Sequence, residues 1–463
     1  MKEYRTLKKL KSKLFGSSGV RGLVNADLTP VLAAKVGLAV VNFSKAKKVL
    51  VARDTRVSGL MLEEALVSGL LAGVVKVNCL GVVPTPTLAY LTKRLNCGAG
   101  IMITASHNPP QYNGIKIFDS DTMAYGEDSQ NETERIIESE GFKHANWRDV
   151  GEVLFIDESH FYIEMIRKNV KLSRRWRIVV DPGCGATYNL APQIFESLGL
   201  KVTTINAHPD GFFPARNPEP TAESLKPLAK IVWEFGADAG IAYDGDGDRV
   251  GFIDEKGSFA DFDRVLAAYS AYAVEEHGGA IVTNVEASMC VDKMVEKHGG
   301  KVFRTKVGDV YVAEAVKEHN AAFGGEPCGA WIHPKFHYCP DGILSSVMLL
   351  KALEDENMSL SEFVSETPKY VTFREKIACK SEAKCKIMEK IKHDLKTAFP
   401  SYKELSTVDG VRISLKSGWI LIRASGTEPL IRLTVEGESL KAAKEIMSKG
   451  VALVKKLVKE MEK

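Results

Sequence analysis

Short apolar, β-branched runs alternate with longer segments of helical periodicity along most of this chain, a pattern that predicts βαβ units with parallel or mixed sheets. Three runs look equivalent: VLVARD (49–54), RIVVDP (177–182) and AIVTNV (280–285) each lead into small and polar residues and then a helical stretch. A second set repeats further on. CGAGIMITASHN (97–108) and ADAGIAYDGDGD (237–248) share a small-residue approach to an isoleucine, and aligning Ile101 with Ile241 sets Ser106 opposite Asp246. AAFGGEPCG (321–329) ends a third unit in another small-residue loop. Three related α/β domains follow, each presenting a polar loop at a strand end. Open α/β sheets bind ligands beyond the carboxyl ends of their strands, so the three loops can share one cleft.

Past residue 366 the periodicity changes. KCKIMEKIKHDLKTAF, VRISLKSGWILIRAS, PLIRLTVEGES and LKAAKEIMSKGVALVKKLVKEMEK read as helix, hairpin, strand and amphipathic helix, a smaller α+β domain whose lysine-rich last helix is a solvated face. The expected fold class is α/β: three related α/β domains with mixed sheets plus a smaller C-terminal α+β domain around a central cleft. The expected boundaries are 1–149 with the serine loop, 150–251 with the aspartate loop, 252–366 with the glutamate loop, and 367–463.

Composition narrows the class. A chain of 463 residues exceeds one ordinary core, and 45% apolar with 26% charged residues suits a soluble globular protein. The net charge is +3, so no overall field points to nucleic acid or a membrane, and partners must be read from local sites. The basic N-terminus lacks a secretory apolar core, and no stretch approaches the roughly 20 apolar residues that span a bilayer, so a cytoplasmic location is expected. Eight cysteines contain no C-x-x-C pair, which argues against zinc and against a disulfide framework. Oligomeric state is left open between monomer and homo-oligomer.

Five stretches carry candidate chemistry. In TASHNPPQYNG (104–114) an apolar run delivers Ser106 to a turn stiffened by Pro109 and Pro110; this serine is a nucleophile or simply a surface turn residue. His107 is adjacent, so in an extended backbone its side chain points away from that of Ser106, which weakens a Ser-His dyad. In YDGDGDRVGFIDE (243–255) glycines let Asp244, Asp246 and Asp248 converge, a hard oxygen cluster that suits Mg²⁺ over thiol-seeking metals. Glu255 falls at position 12 of a calcium loop, but Arg249 stands where that loop requires glycine. An unmetallated turn is the plainer alternative.

RASGTEPLIR (423–432) offers Arg423, Arg432, Ser425, Thr427 and loop amides as a phosphate cradle, with a salt-bridged turn as the alternative. FGGEPCG (323–329) sets Glu326 at a strand end where it can accept from sugar hydroxyls, or be an ordinary loop glutamate. LFGSSGVRG (14–22) brings Arg21 into a glycine-rich loop, a candidate phosphate contact or an ordinary loop arginine, and YNGIKIF (112–118) puts Lys116 on the strand after the serine loop, where an outward-facing strand lysine is the plainer reading.

Together, FGSSGVRG, TASHNP, DGDGDR, GEPCG and RASGTEP, in this order over residues 15–432, resemble the α-D-phosphohexomutase family. The resemblance implies a phosphohexose mutase that interconverts hexose 6-phosphate and hexose 1-phosphate through a phosphoserine and a bisphosphorylated sugar, which also serves as primer. It implies that Ser106 is the phosphoserine and that Asp244, Asp246 and Asp248 hold Mg²⁺ against it. A phosphate near −2 beside three carboxylates is repulsive unless a divalent ion lies between. It further implies Lys116 as general base, its pKa lowered by Arg21, with Arg249 assisting at the transferring phosphate and His107 in the catalytic site but not as the base of Ser106. Arg423, Ser425, Gly426, Thr427 and Arg432 would grip the second phosphate, and Glu326 with Cys328 would read sugar hydroxyls.

Two departures bear on the sugar. Many members carry serine and histidine where this chain has Cys328 and Ala330, and a thiol is a weaker hydrogen-bond partner than a hydroxyl. Asp309, in RTKVGDVYV, resembles the VGD of the family's phosphoglucosamine mutases, and an anionic side chain suits an ammonium group. The expectation is therefore a phosphoglucosamine mutase; the alternatives are a phosphomannomutase/phosphoglucomutase, a phosphopentomutase, a phosphatase acting through the same serine, or a non-catalytic phosphosugar-binding protein.

Overall fold

The computed structural model describes residues 13–16, 19–425 and 429–461. They form four sheets, the first three built on one pattern. In the first, Lys48–Arg53 lies between Lys76–Val82 and Ala99–Ile103, all parallel, and Tyr112–Asp119 returns antiparallel beside Ala99–Ile103. In the second, Arg177–Asp181 lies between Lys201–Thr204 and Ala239–Tyr243, with Val250–Ile253 antiparallel at the edge. The third sets Ala280–Asn284 between Lys301–Thr305 and Phe323–Gly325, with Trp331–Ile332 antiparallel. The first sheet adds Phe15–Gly16 and Gly19–Leu23 on one edge and Glu152–Phe155 on the other. The serine, aspartate and glutamate loops therefore occupy the same topological place, each joining a parallel strand to its antiparallel neighbour.

The shared Ala-Gly-Ile motif has a packing cause. AGIMI (99–103) and AGIAY (239–243) are buried at every position because helices cover them, which selects continuous apolar runs over alternation. Gly100 and Gly240 sit at equivalent points, where a Cβ would meet Thr92 of the helix Thr85–Arg94 at 2.1 Å or Val232 of the helix Lys226–Phe235 at 2.6 Å.

One apolar cluster runs from Tyr162 to Val364 and includes both the second and third sheets. The helices Phe262–His277 and Gly342–Asp355 carry much of it, so these two units share a core even though each keeps its own sheet. The C-terminal unit is an antiparallel sheet in the order Val371–Ala378, Leu430–Gly437, Gly418–Ala424, Val411–Leu415, Glu404–Ser406, with helices Lys384–Ala398 and Leu440–Met461 packed on it. Its two edge strands escaped the sequence reading because they are short or, in VTFREKIA, mostly exposed and charged. The last helix buries Ile446, Met447, Val454 and Leu457 and turns its lysines outward as expected. No helix among the described residues is long and apolar enough to cross a membrane.

Candidate active site

The serine loop leaves Ile103 and re-enters the sheet at Tyr112. Ser106 adopts φ +50°, a left-handed conformation that costs a non-glycine residue about 1–2 kcal/mol and persists only where the surroundings impose it. Its N–H donates to Thr104 Oγ1 at 2.8 Å, and its Oγ donates to Asp244 Oδ2 at 2.6 Å and lies 3.4 Å from Asp248 Oδ1. The left-handed turn overturns one expectation: the backbone is not extended here, and His107 Nδ1 comes within 3.3 Å of Ser106 Oγ. Burial, reinforced by Arg249, Arg21 and Lys116, pulls His107 down to about 2, so the imidazole is neutral and resists taking a proton. Proximity thus makes it a hydrogen-bonding neighbour of Ser106.

The aspartate loop approaches from the second domain. Asp244, Asp246 and Asp248 are buried, with ligand oxygens all within 4.8 Å of one another. Close contact between the loops depends on Gly245, where a Cβ would stand 2.6 Å from Ser106 O. Gly247 and Arg249 donate their N–H groups to Asp244 Oδ1 at 2.9 and 3.2 Å, while Thr85 donates through both N–H (2.9 Å) and Oγ1 (2.5 Å) to Asp246. Burial and the neighbouring Asp248 and Asp246 push Asp244 well up; Asp248 also rises with burial. Asp246 resists its own burial and falls, because Lys116 and Thr85 stabilise its charge. Asp246 Oδ1 is buried without a hydrogen-bond partner. Three hard carboxylates, one unsatisfied and one held reluctantly as an anion, fit a divalent cation such as Mg²⁺. A calcium loop does not form: the chain continues into the strand Val250–Ile253, and Glu255 accepts from Ser361.

Lys116 lies between Asp246 Oδ2 at 2.8 Å and Asp248 Oδ2 at 2.5 Å and is 3% exposed. Arg21 was expected to lower its pKa. Burial and Arg21 do act that way, but the carboxylates of Asp246, Asp248 and Asp309 together outweigh them, and the ammonium is held well above its ordinary range. Arg21 itself is lowered by burial and donates to Asn108 Oδ1 at 2.8 Å.

These groups open onto a cleft of about 410 Å³ that all four domains line. Arg21, Ser106, His107 and Lys116 come from the first domain, Asp248 and Arg249 from the second, Glu326 and Cys328 from the third, and Arg423 and Arg432 from the fourth. Glu326 Oε1 accepts from Asn284 Nδ2 at 2.7 Å and from the Gly308 N–H at 2.9 Å, while burial and nearby Asp309 raise its pKa. Burial pushes the Cys328 thiol up to about 12 against the pull of Arg249, so it is a neutral thiol. Asp309 opens the helix Asp309–Glu318 on the cleft wall. Arg249 pairs with Glu219 at 3.5 Å.

Arg423 pairs with Asp409 at 2.6 Å and with Glu286 of the third domain at 3.1 Å, so the salt-bridged alternative describes this arrangement. Arg423 and Arg432 are direct cross-strand partners. Their guanidinium groups therefore start from neighbouring points on the strand pair that leads into this loop. Ser425 is buried directly after the strand Gly418–Ala424; Gly426 and Thr427 lie outside the described residues. Val285, Trp419 and Leu421 pack the fourth domain on the third, and Glu436 Oε1 accepts from Trp419 Nε1 and the Met289 N–H at 2.9 and 2.8 Å.

Sequence reasoning missed Asp54, Arg56, Thr85, Asn284 and Arg374. The signal for the first and fourth was present: Asp54 ends VLVARD and Asn284 is the last polar residue of AIVTNV, two of the repeated runs. Arg374 sits on the exposed edge strand and lines the cleft.

Comparison with known proteins agrees with this architecture. Models of phosphoglucomutase/phosphomannomutase α/β/α domains I, II and III match residues 12–144, 160–257 and 261–370, and that of the C-terminal domain matches 376–452. The chain is 44% identical to a "Probable phosphoglucosamine mutase" of Pyrococcus furiosus over 97% of its length and 99% of the relative's. It is 45% identical to the protein of the same name from Methanopyrus kandleri, with the same coverage. A crystal structure of a phosphoglucomutase/phosphomannomutase family protein from Burkholderia thailandensis superposes with a TM-score of 0.87 at 28% identity, covering 96% of this chain and 98% of that one.

Proposed function

The chain belongs to the phosphoglucomutase/phosphomannomutase family and is a phosphohexose mutase, an intramolecular phosphotransferase of the isomerase class; from that premise we propose that it interconverts glucosamine 6-phosphate and glucosamine 1-phosphate. The observation that carries the choice of sugar is Asp309, which lines the cleft with Glu326 and sets a carboxylate where an ammonium substituent of the sugar could meet it. The near full-length relatives named phosphoglucosamine mutase support the same substrate.

In the proposed reaction Ser106 carries the phosphoryl group. A sugar hydroxyl attacks the phosphorus, the P–Oγ bond breaks, and the hydroxyl proton reaches the serine oxygen by way of Lys116. Lys116 lies within reach of both loops, and it can accept a proton only when Asp246 and Asp248 no longer hold its own. Neutral His107 hydrogen-bonds beside the serine oxygen without competing for the proton. Asp244, Asp246 and Asp248 would hold Mg²⁺, which when bound supplies positive charge against the phosphoryl oxygens. Arg21 and Arg249 face the reacting phosphate, and Arg423, Ser425 and Arg432 grip the other, with Gly426 and Thr427 assigned to the same loop. The bisphosphorylated sugar then turns end for end and returns its other phosphate to Ser106, so one catalytic set serves both half-reactions.

Comparing kcat/KM for glucosamine, glucose, mannose and ribose phosphates tests the reading. Asp309→Asn is expected to lower the glucosamine value by ~10-fold or more and the glucose value by less than about 3-fold, since a charge-assisted hydrogen bond contributes roughly 1.5–3 kcal/mol. A wild type that prefers glucose, or a variant that loses both substrates equally, would refute it.

A further inference from the structure

We propose that Arg56, locked to Asp54, is the positioning residue that imposes the left-handed turn on Ser106; the inference rests on Ser106 being the phosphoryl carrier. Arg56 is 1% exposed, and its guanidinium donates in five directions. Nε donates to Asp54 Oδ2 at 3.0 Å. Nη1 donates to the carbonyls of Pro109 and Tyr112 at 2.7 and 2.8 Å, and Nη2 to those of Ser106 and Asn108 at 2.9 and 2.6 Å. Every side-chain donor that arginine possesses is therefore used, four of them on the backbone of one loop.

Asp54 closes the grip from the other side. Its Oδ2 accepts from Thr104 Oγ1 at 2.6 Å, and Thr104 Oγ1 in turn accepts the N–H of Ser106 at 2.8 Å. Both backbone polar groups of the serine thus end on the Asp54–Arg56 pair, one directly and one through a single hydroxyl. That leaves the peptide groups on either side of Ser106 no freedom to relax toward an extended conformation. Were it to relax, Oγ would swing away from Asp244 and from the cleft.

A buried ion pair is a poor device for stability alone, because desolvation offsets most of its attraction. Its donors serve the loop and not the core around it. The second repeat uses the same device on its own loop: Arg216 is 9% exposed, donates through Nε to Asp181 Oδ2 at 2.9 Å, and through Nη2 to the carbonyl of Tyr243 at 2.6 Å, directly before Asp244. Asp54 and Asp181 close equivalent strands of the repeat, and in the third Asn284 reaches Glu326 without an intermediary. One clamp sets the serine and the other sets the metal loop, so their effects should be separable.

The test compares Arg56→Lys, Thr104→Val and Arg216→Lys in the full chain. Turnover is measured per folded molecule from the thermal transition, with KM, half-saturating Mg²⁺ and phosphate on Ser106 by intact mass. Lysine offers one point charge that cannot serve four carbonyls. Arg56→Lys is expected to lower kcat by ~100-fold with KM and Mg²⁺ requirement within about 3-fold, since an ångström of misplacement costs on that order. Thr104→Val, nearly isosteric and gentle enough to keep the fold, should show the same pattern at ~10-fold, and decides the matter if Arg56→Lys does not fold. Arg216→Lys should instead raise half-saturating Mg²⁺ by ~10-fold, the scale of a lost support behind metal ligands. Wild-type kcat in Thr104→Val, or one common signature for both arginine variants, would overturn the inference. Absence of phosphate from Ser106 in active wild type would instead overturn the reading it rests on.

Discussion

Lys116→Met replaces an ammonium group held between Asp246 and Asp248 by a thioether of similar length, and it separates the lysine's electrostatic role from its chemical one. Both partners and Lys116 are buried, Asp248 meeting only the cleft, so removing the cation leaves two poorly hydrated carboxylates without their counterion. Breaking a buried pair in this way costs about 3–5 kcal/mol. In the metal-free, dephosphorylated protein the first thermal transition should fall by roughly 6–20 °C, at about 2–4 °C per kcal/mol for a unit of this size. Proton uptake at Asp244, already pushed up by burial and its neighbours, would place the result toward the lower end. Added Mg²⁺ should then stabilise the variant more than the wild type, because the competing ammonium is gone. At 100-fold excess over its Kd, one bound ion contributes ~2.7 kcal/mol, enough to close much of the gap. Turnover with saturating Mg²⁺ should remain lower by ~100-fold or more, the usual weight of a positioned proton carrier. The measurements are differential scanning calorimetry with and without Mg²⁺ and steady-state mutase kinetics. A stability gap that Mg²⁺ leaves unchanged, or near-normal turnover, would refute the account of Lys116 as both counterion and proton carrier.

Further outcomes follow from the same geometry. Ser106→Ala should lose the mass of one phosphate and at least ~10³-fold in turnover, the scale of losing a covalent nucleophile in a concerted set; near-normal turnover would end the phosphoserine mechanism. Gly245→Ala should cost about 1–3 kcal/mol of overpacking and depress kcat, because its Cβ would stand 2.6 Å from Ser106 O; unchanged kinetics would mean the two loops separate without consequence. His333, 5% exposed and hydrogen-bonded to Ser345 Oγ, is pulled down to about 3 by burial. Its folded-state pKa lies below the unfolded value, so its neutral form contributes fully above about pH 6.5, and stability is lost at up to ~1.4 kcal/mol per pH unit as pH falls from there toward 3. His333→Gln should flatten the acid limb of the melting curve; a limb equally steep would show that other groups set it.

Much of this architecture was legible in the residues because packing leaves periodic marks. The repeated Ala-Gly-Ile approach reflects strands buried on both faces with a helix pressed against the glycine, and DGDGDR carries its own convergence through alternating glycines. The edge strand Val371–Ala378 lacked such a mark, since an exposed strand places no constraint on polarity. The shared core of the second and third sheets was equally hidden, because both sets of apolar residues look alike whether they pack apart or together.

At the site the division is sharper. The chain alone determined that a serine, three aspartates, a glutamate and an arginine-flanked loop each sit at strand ends, because turn chemistry is local. The direction of each pKa shift was decided by the tertiary structure. Lys116 next to Arg21 in isolation would lose its proton readily, yet two carboxylates from another domain reverse the sign. The pairing of His107 with Ser106 depended on a single left-handed φ, imposed by an arginine some fifty residues away in sequence. Coulomb energy and backbone strain depend on distances across the fold, and neighbours that far apart in the chain leave no local trace.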